Sequence, residues 1–142
     1  MIVIGIDPDN KKSGLAVYRA GKLVELHNLT YKEFCTQVID RRFGEAVFVV
    51  EDSEQNKFMY ARNRGGPDQV ATKIAQDVGR VKRLGTCMAD LLEVLGYKVH
   101  RVKPCKKNFA KDKARFEYLT GWEGRSNPET RSAAYFGLIF AK

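Results

Sequence analysis

The first 29 residues constrain the chain more than any other stretch. "IVIGID" is apolar on both faces, as a strand in the middle of a sheet must be. "DPDNKKSG" is a turn: Pro8 fixes φ, and Asp9, Asn10 and Gly14 tolerate turn geometry. "LAVYRAGKLVELHNL" follows as a hairpin with Ala20-Gly21 at its tip. Strands over 2–7, 14–19 and 23–29 therefore form an antiparallel meander. Its first strand ends in a carboxylate, Asp7, at a place where burial is costly unless water, a cation or a donor meets it.

The meander leads into a short helix. Thr30 and Glu33 make a capping box, Phe34, Val38 and Ile39 give an apolar face, and the segment runs out at Gly44 after Arg41 and Arg42. "AVFVV" is a fourth strand, and a helix between strands three and four permits a crossover that adds it in parallel. Residues 52–68 show no period and carry Gly65-Gly66-Pro67, which predicts a loop. Apolar residues then recur every three or four positions from Val70 to Leu95, a helix of roughly 25 residues stopped by Gly96. "YKVHRV" is a fifth strand closed by Pro104. Helices over Lys111–Leu119 and Glu129–Phe140 follow, separated by "TGWEGRSN". The order is β-β-β-α-β-α-β-α-α, with no internal repeat and no second domain. Residues 1–142 are read as a single domain, the size of one ordinary core.

Apolar residues make up 44% of the chain, which excludes global disorder. Twenty-five Lys and Arg against 17 Asp and Glu give a formal charge of +8, which suits a polyanionic partner. Cys35, Cys87 and Cys105 are widely spaced and match neither a zinc site nor a disulfide framework, so reduced cysteines in a cytoplasmic protein are expected. No basic n-region precedes the first apolar run, and no run reaches the roughly 18 apolar residues of a membrane span. Neither a signal peptide nor a membrane association is expected.

Three acids fall where the topology would gather them. Asp7 ends strand one and Glu51 ends strand four; if the strands are neighbours, their ends lie about 5 Å apart. Glu129, at the start of the last helix, could reach the same spot. Such carboxylates are the hard-oxygen environment of Mg²⁺ or Mn²⁺, and two ions there could activate water at a phosphodiester. Simpler roles compete: Asp7 as a turn cap, Glu51 as part of a solvated acidic run, Glu129 as a favourable charge at a helix start. Asp52 and Glu54 are loop residues that could assist.

The basic residues concentrate in two places. Lys103, Lys106, Lys107, Lys111, Lys113 and Arg115 lie between 103 and 115 against one acid, Asp112. Lys106 and Lys107 are candidates for flanking phosphates. In the 57–64 loop, Phe58 and Tyr60 interleave with Lys57, Arg62 and Arg64, a combination suited to DNA with unstacked bases. Packing under the loop is the competing role for Phe58. His27 and His100 are read as packing or surface residues, Trp122 as a turn anchor, and no cysteine is given a catalytic role.

Taken together, "IGIDPDNKKSGLAVY", the "VVED" strand end, "ATKIAQDVGRVKRLG", "FAKDKARFEYLTG" and "NPETRSAAYFGLIF" resemble the RuvC-type Holliday junction resolvases, in a short phage-like form. The resemblance spans essentially the whole chain. It implies a ribonuclease-H-like α/β fold: a mixed five-stranded sheet, three strands in an antiparallel meander plus two parallel, flanked by helices. It implies a homodimeric, metal-dependent endonuclease of DNA recombination and repair that cleaves four-way junctions symmetrically with Mg²⁺ or Mn²⁺, two ions being expected. Asp7 would bridge both ions, Glu51 and Glu129 would complete the set, and Lys113 would stabilise charge at the scissile phosphate, with Lys111 as its substitute. The family's last helix offers two Asp three residues apart; here those positions hold Glu129 and Ser132, and a neutral hydroxyl is a weak ligand for a hard cation. The same residues are therefore compatible with a branched-DNA or RNA–DNA hybrid nuclease, or with a catalytically inactive junction-binding protein.

Overall fold

The structure, a computed structural model, describes residues 1–52, 83–106 and 108–141. Five strands form one sheet: β1 (Ile2–Asp7), β2 (Ser13–Arg19), β3 (Lys22–Leu29), β4 (Ala46–Glu51) and β5 (Lys98–Val102), in the spatial order β3-β2-β1-β4-β5. β1–β2 and β2–β3 pair antiparallel, while β1–β4 and β4–β5 pair parallel. The sheet is therefore the expected meander extended by two parallel strands. Helices α1 (Tyr31–Ile39), α2 (helical over the described 83–94), α3 (Lys113–Thr120) and α4 (Pro128–Ala141) flank it.

Side-chain alternation explains why β1, β2 and β4 are buried on both faces. Ile4, Ile6, Leu15, Val17, Phe48 and Val50 point to one core, shared with Phe34 and Val38 of α1 and Met88 and Leu92 of α2. Val3, Ala16, Tyr18 and Val49 point to the other, shared with Phe109, Phe116, Ala133, Ala134 and Phe136. Tyr18 crosses this second core and donates its hydroxyl to the Ala134 carbonyl at 2.7 Å. Burial pushes that phenol further above its ordinary range.

Local capping sets the helix starts. Thr30 and Glu33 make the reciprocal capping box expected for α1. The helix ends earlier than Gly44: Ile39 is its last residue, Asp40 caps it, and Arg41 and Gly44 take positive φ values of 53° and 64°. α3 starts at Lys113 rather than Lys111. Asn108 caps a 3₁₀ turn at Phe109–Lys111, and Asp112 then accepts from the Arg115 amide as the cap of α3. These short polar side chains offer the backbone N–H groups a partner where a helical pattern alone would continue.

Candidate functional site

Parallel pairing of β1 and β4, with Ile6 opposite Val50, brings Asp7 and Glu51 to the same end of the sheet. Asp7 pairs with Gly14 on its other side. A Cβ at Gly14 would overlap the Glu129 carbonyl and the Thr130 amide, so the missing side chain is what lets the first turn of α4 rest on the sheet there. Asn127 and Thr130 close that turn reciprocally: the Asn127 side chain accepts from the Thr130 amide, and the Thr130 hydroxyl accepts from the Asn127 amide, each at 2.9 Å. Pro128 occupies the first helical position, where its missing N–H costs nothing.

The Asp7 carboxyl faces the side chains of Glu51 and Ser132, near enough for both to act on its proton. Burial raises its pKa first, then the Glu51 hydrogen bond and charge; Ser132 opposes the rise and the Glu129 charge adds to it, for a value of about 9. Burial and the neighbouring carboxylates thus favour the protonated form of Asp7. Ser132 is itself buried. Asp52, the next residue after Glu51, turns elsewhere. Its side chain is 2% exposed, accepts from Arg101 and from the Thr86 hydroxyl, each at 3.3 Å, and is thereby held against α2 and β5. Arg101 also pairs with Asp90 at 2.7 Å and Glu93 at 3.1 Å.

Next to the carboxyl pair runs a groove of about 590 Å³, lined by Glu51, Pro104, Cys105, Lys106, Asn108, Ala110 and Lys111. Lys106 and Lys111 are exposed. Lys113 is exposed at the start of α3 and is not among the described residues lining this groove. The wall carrying Lys111 is fastened by Arg131 of α4. That guanidinium donates to the Phe109 carbonyl at 3.2 Å, the Ala110 carbonyl at 2.8 Å and the Ser126 hydroxyl at 3.0 Å. Five donors on a planar fork make this three-way grip possible, which a lysine could not reproduce. Sequence reading missed Arg131, Asn108 and Cys105 as parts of the groove. Only the Asn108 cap had a local signal, an Asn just before a helical pattern. Phe58, Tyr60, Arg62, Arg64, Lys107 and Glu54 lie outside the described residues.

His27 and His100 behave as packing residues: His27 sits 2.9 Å from Glu25, and His100 stacks on Phe140 at 4.6 Å between ring centres. Trp122 anchors its turn by donating to the Arg125 carbonyl. No helix among the described residues is long and apolar enough to cross a membrane.

This architecture is that of the ribonuclease-H-like fold. Within that class the topology is that of the RuvC-type Holliday junction resolvases, at low sequence identity. The chain is similar to Thermus thermophilus RuvC solved in complex with a Holliday junction substrate, with a TM-score of 0.63 and 14% identity over 99% of this chain and 92% of that one. A second Thermus thermophilus RuvC structure matches with a TM-score of 0.56 and 18% identity, covering 99% and 93%. The fowlpox virus Holliday junction resolvase matches with a TM-score of 0.53 and 11% identity, covering 99% and 98%. No protein-family model and no curated protein sequence matches the chain.

The expectation of a Mg²⁺- or Mn²⁺-dependent endonuclease is corrected by the site itself. Among the described residues, no group of three or more His, Cys, Asp or Glu side chains is placed to hold a metal ion. Asp7 and Glu51 form a pair rather than a set. Glu129 acts on Asp7 through its charge alone, Ser132 brings a hydroxyl where the family has an acid, and Asp52 is engaged with Arg101. The donor set does not fit two hard cations, which call for several converging anionic oxygens. The reading as a hydrolase, a Mg²⁺- or Mn²⁺-dependent metal-binding Holliday junction resolvase, falls with it.

Proposed function

We propose that this chain, as a single domain over residues 1–142, is a DNA-binding protein that holds four-way or branched DNA without cutting it. The observation that carries this reading is the groove rimmed by Lys106 and Lys111, on a RuvC-like fold in which no metal-holding set occurs among the described residues. Thermus thermophilus RuvC, with the same topology, has been solved with a Holliday junction substrate, which supports DNA as the partner. A formal charge of +8 favours a polyanion and draws it in at long range.

In this reading Lys106, Lys107, Lys111 and Lys113 neutralise phosphates, which fixes position and gives affinity without sequence preference. Phe58, Tyr60, Arg62 and Arg64 engage bases exposed where the arms meet. Asp7, Glu51 and Glu129 shape the floor beside the groove. A homodimer matches the twofold character of a four-way junction. The three free cysteines suit the reducing cytoplasm of a bacterial cell or a phage-infected host.

Competition binding tests this directly. A labelled immobile four-way junction is titrated with protein at fixed salt, then challenged with unlabelled junction, fork or duplex of equal length. The reading expects junction or fork to compete at least about tenfold better than duplex, a difference of about 1.4 kcal/mol. Equal competition by all three would reduce the protein to a nonspecific polyanion binder and overturn it.

A further inference from the structure

The groove does not end at Lys111. The chain passes from that residue through Asp112 into α3, whose apolar anchor is Phe116, its one buried side chain. The remaining faces of α3 are largely exposed and carry Lys113, Arg115, Tyr118 and Leu119. Tyr118 is 86% exposed, more than any other large apolar side chain among the described residues. Among the described residues, no ring or cation partner covers the aromatic face of Tyr118.

Arg115 connects this helix to the groove. Its charge is felt by the Tyr135 phenol, lowering its pKa against larger effects that raise it. That phenol lies 3.5 Å from Cys105 Sγ, and Cys105 lines the groove. Arg115 and Tyr118 are three residues apart within α3, an interval that places side chains along one side of a helix, and Lys111 closes the 3₁₀ turn that leads into that helix through the Asp112 cap.

We infer that Lys111, Arg115 and Tyr118 form a second DNA-contacting stripe, in which the two cations follow successive phosphates of one strand and Tyr118 stacks on an unpaired base near the branch. The inference rests on the proposed junction binding and deepens it. It selects branched DNA with unpaired nucleotides over fully paired DNA. Charge complementarity and continuity with the Lys106–Lys111 rim favour nucleic acid over a protein partner for this face.

The test uses the full chain with Arg115→Ala, Tyr118→Ala and Tyr118→Trp. Val94→Ala serves as control, since Val94 is 83% exposed on α2. Dissociation constants are measured from 50 to 200 mM salt on a paired junction and on one with two unpaired nucleotides at the branch. Arg115→Ala is expected to reduce the slope of log K against log salt by about 0.9, one phosphate contact. Tyr118→Ala is expected to weaken the unpaired-base junction about tenfold with an unchanged slope, and Tyr118→Trp to retain binding. Val94→Ala is expected to match wild type. Wild-type binding that both alanine variants leave unchanged overturns the stripe alone, while a wild type that binds no junction overturns both readings. A Tyr118→Ala protein that changes its oligomeric state in sedimentation, with its per-chain DNA affinity intact, overturns the stripe in favour of a contact between copies.

Discussion

Asp7 and Asp52 lie at the same end of the sheet, one closing β1 and the other following β4, and their surroundings are opposite. Asp7 is gathered with Glu51, Glu129 and Ser132 on the α4 side, and its pKa climbs to about 9. Asp52 is buried more completely, and it turns to the α2 side, where it meets the Arg101 guanidinium. Burial is common to both; the difference lies in what was buried with each. An acid desolvated beside acids is pushed toward its protonated form, whereas an acid buried beside a guanidinium has an ion-pair partner in place of its lost hydration. A stretch that reads as one acidic run, "VVEDSE", thus splits between two sites with separate jobs.

The largest expected effect comes from breaking the paired side. Arg101→Ala would strand the Asp52 carboxylate and should cost about 3 kcal/mol of unfolding free energy in denaturant titrations. A loss under about 1 kcal/mol would show that water reaches Asp52 and that the contrast with Asp7 is shallow.

Asp7→Asn should act in the opposite direction. A carboxyl whose folded pKa is about 9, against an ordinary 3.8, contributes its full stability below about pH 4. That contribution fades as pH rises toward 9, because the unfolded chain releases the proton first. The asparagine variant has no such proton to lose and retains a donor for Glu51. It should be more stable than wild type by roughly 2 kcal/mol at pH 7, with the gap widening from pH 5 to pH 9. A gap that stays flat across this range would mean that Asp7 is ionised in the folded protein.

Arg131→Lys sharpens the comparison from the groove side. It keeps the charge but cannot grip the Phe109 and Ala110 carbonyls and the Ser126 hydroxyl together. A cost of about 1 kcal/mol in stability is expected, with junction affinity falling several-fold as the Lys111 wall loosens. Unchanged affinity would mean that the wall holds its shape without the clamp. The smallest effect belongs to Lys106→Ala, a single phosphate contact: the salt slope of junction binding should drop by about 0.9. No change in slope would remove Lys106 from the interface.

The sheet was legible because its signal is local and redundant. Ile4, Ile6, Val3, Val49 and Val50 make strands that must be covered on both faces, and the short Ala20-Gly21 turn fixes the meander. The parallel addition of β4, which brings Asp7 beside Glu51, followed from the helix between β3 and β4. The Thr30–Glu33 box gave the start of α1. The start of α3 was misplaced because Asp112, inside a basic run, reads as a solvated charge until its carboxylate is seen capping the Arg115 amide. The metal set was overread for a related reason. Three acids at the right topological stations do not fix how far apart their carboxyls stand, nor that Asp52 prefers a cation on the far side of the sheet. Arg131 carried no sequence signal, because its three acceptors come from two other segments and only the folded chain assembles them.

The most direct test of the central claim is to incubate the purified protein with a labelled four-way junction at saturating concentration, in EDTA, Mg²⁺ or Mn²⁺, and resolve the strands under denaturing conditions. The account predicts a retarded complex under native conditions and intact strands in all three. Paired, symmetric nicks that require Mg²⁺ or Mn²⁺ and vanish in Asp7→Asn would contradict it.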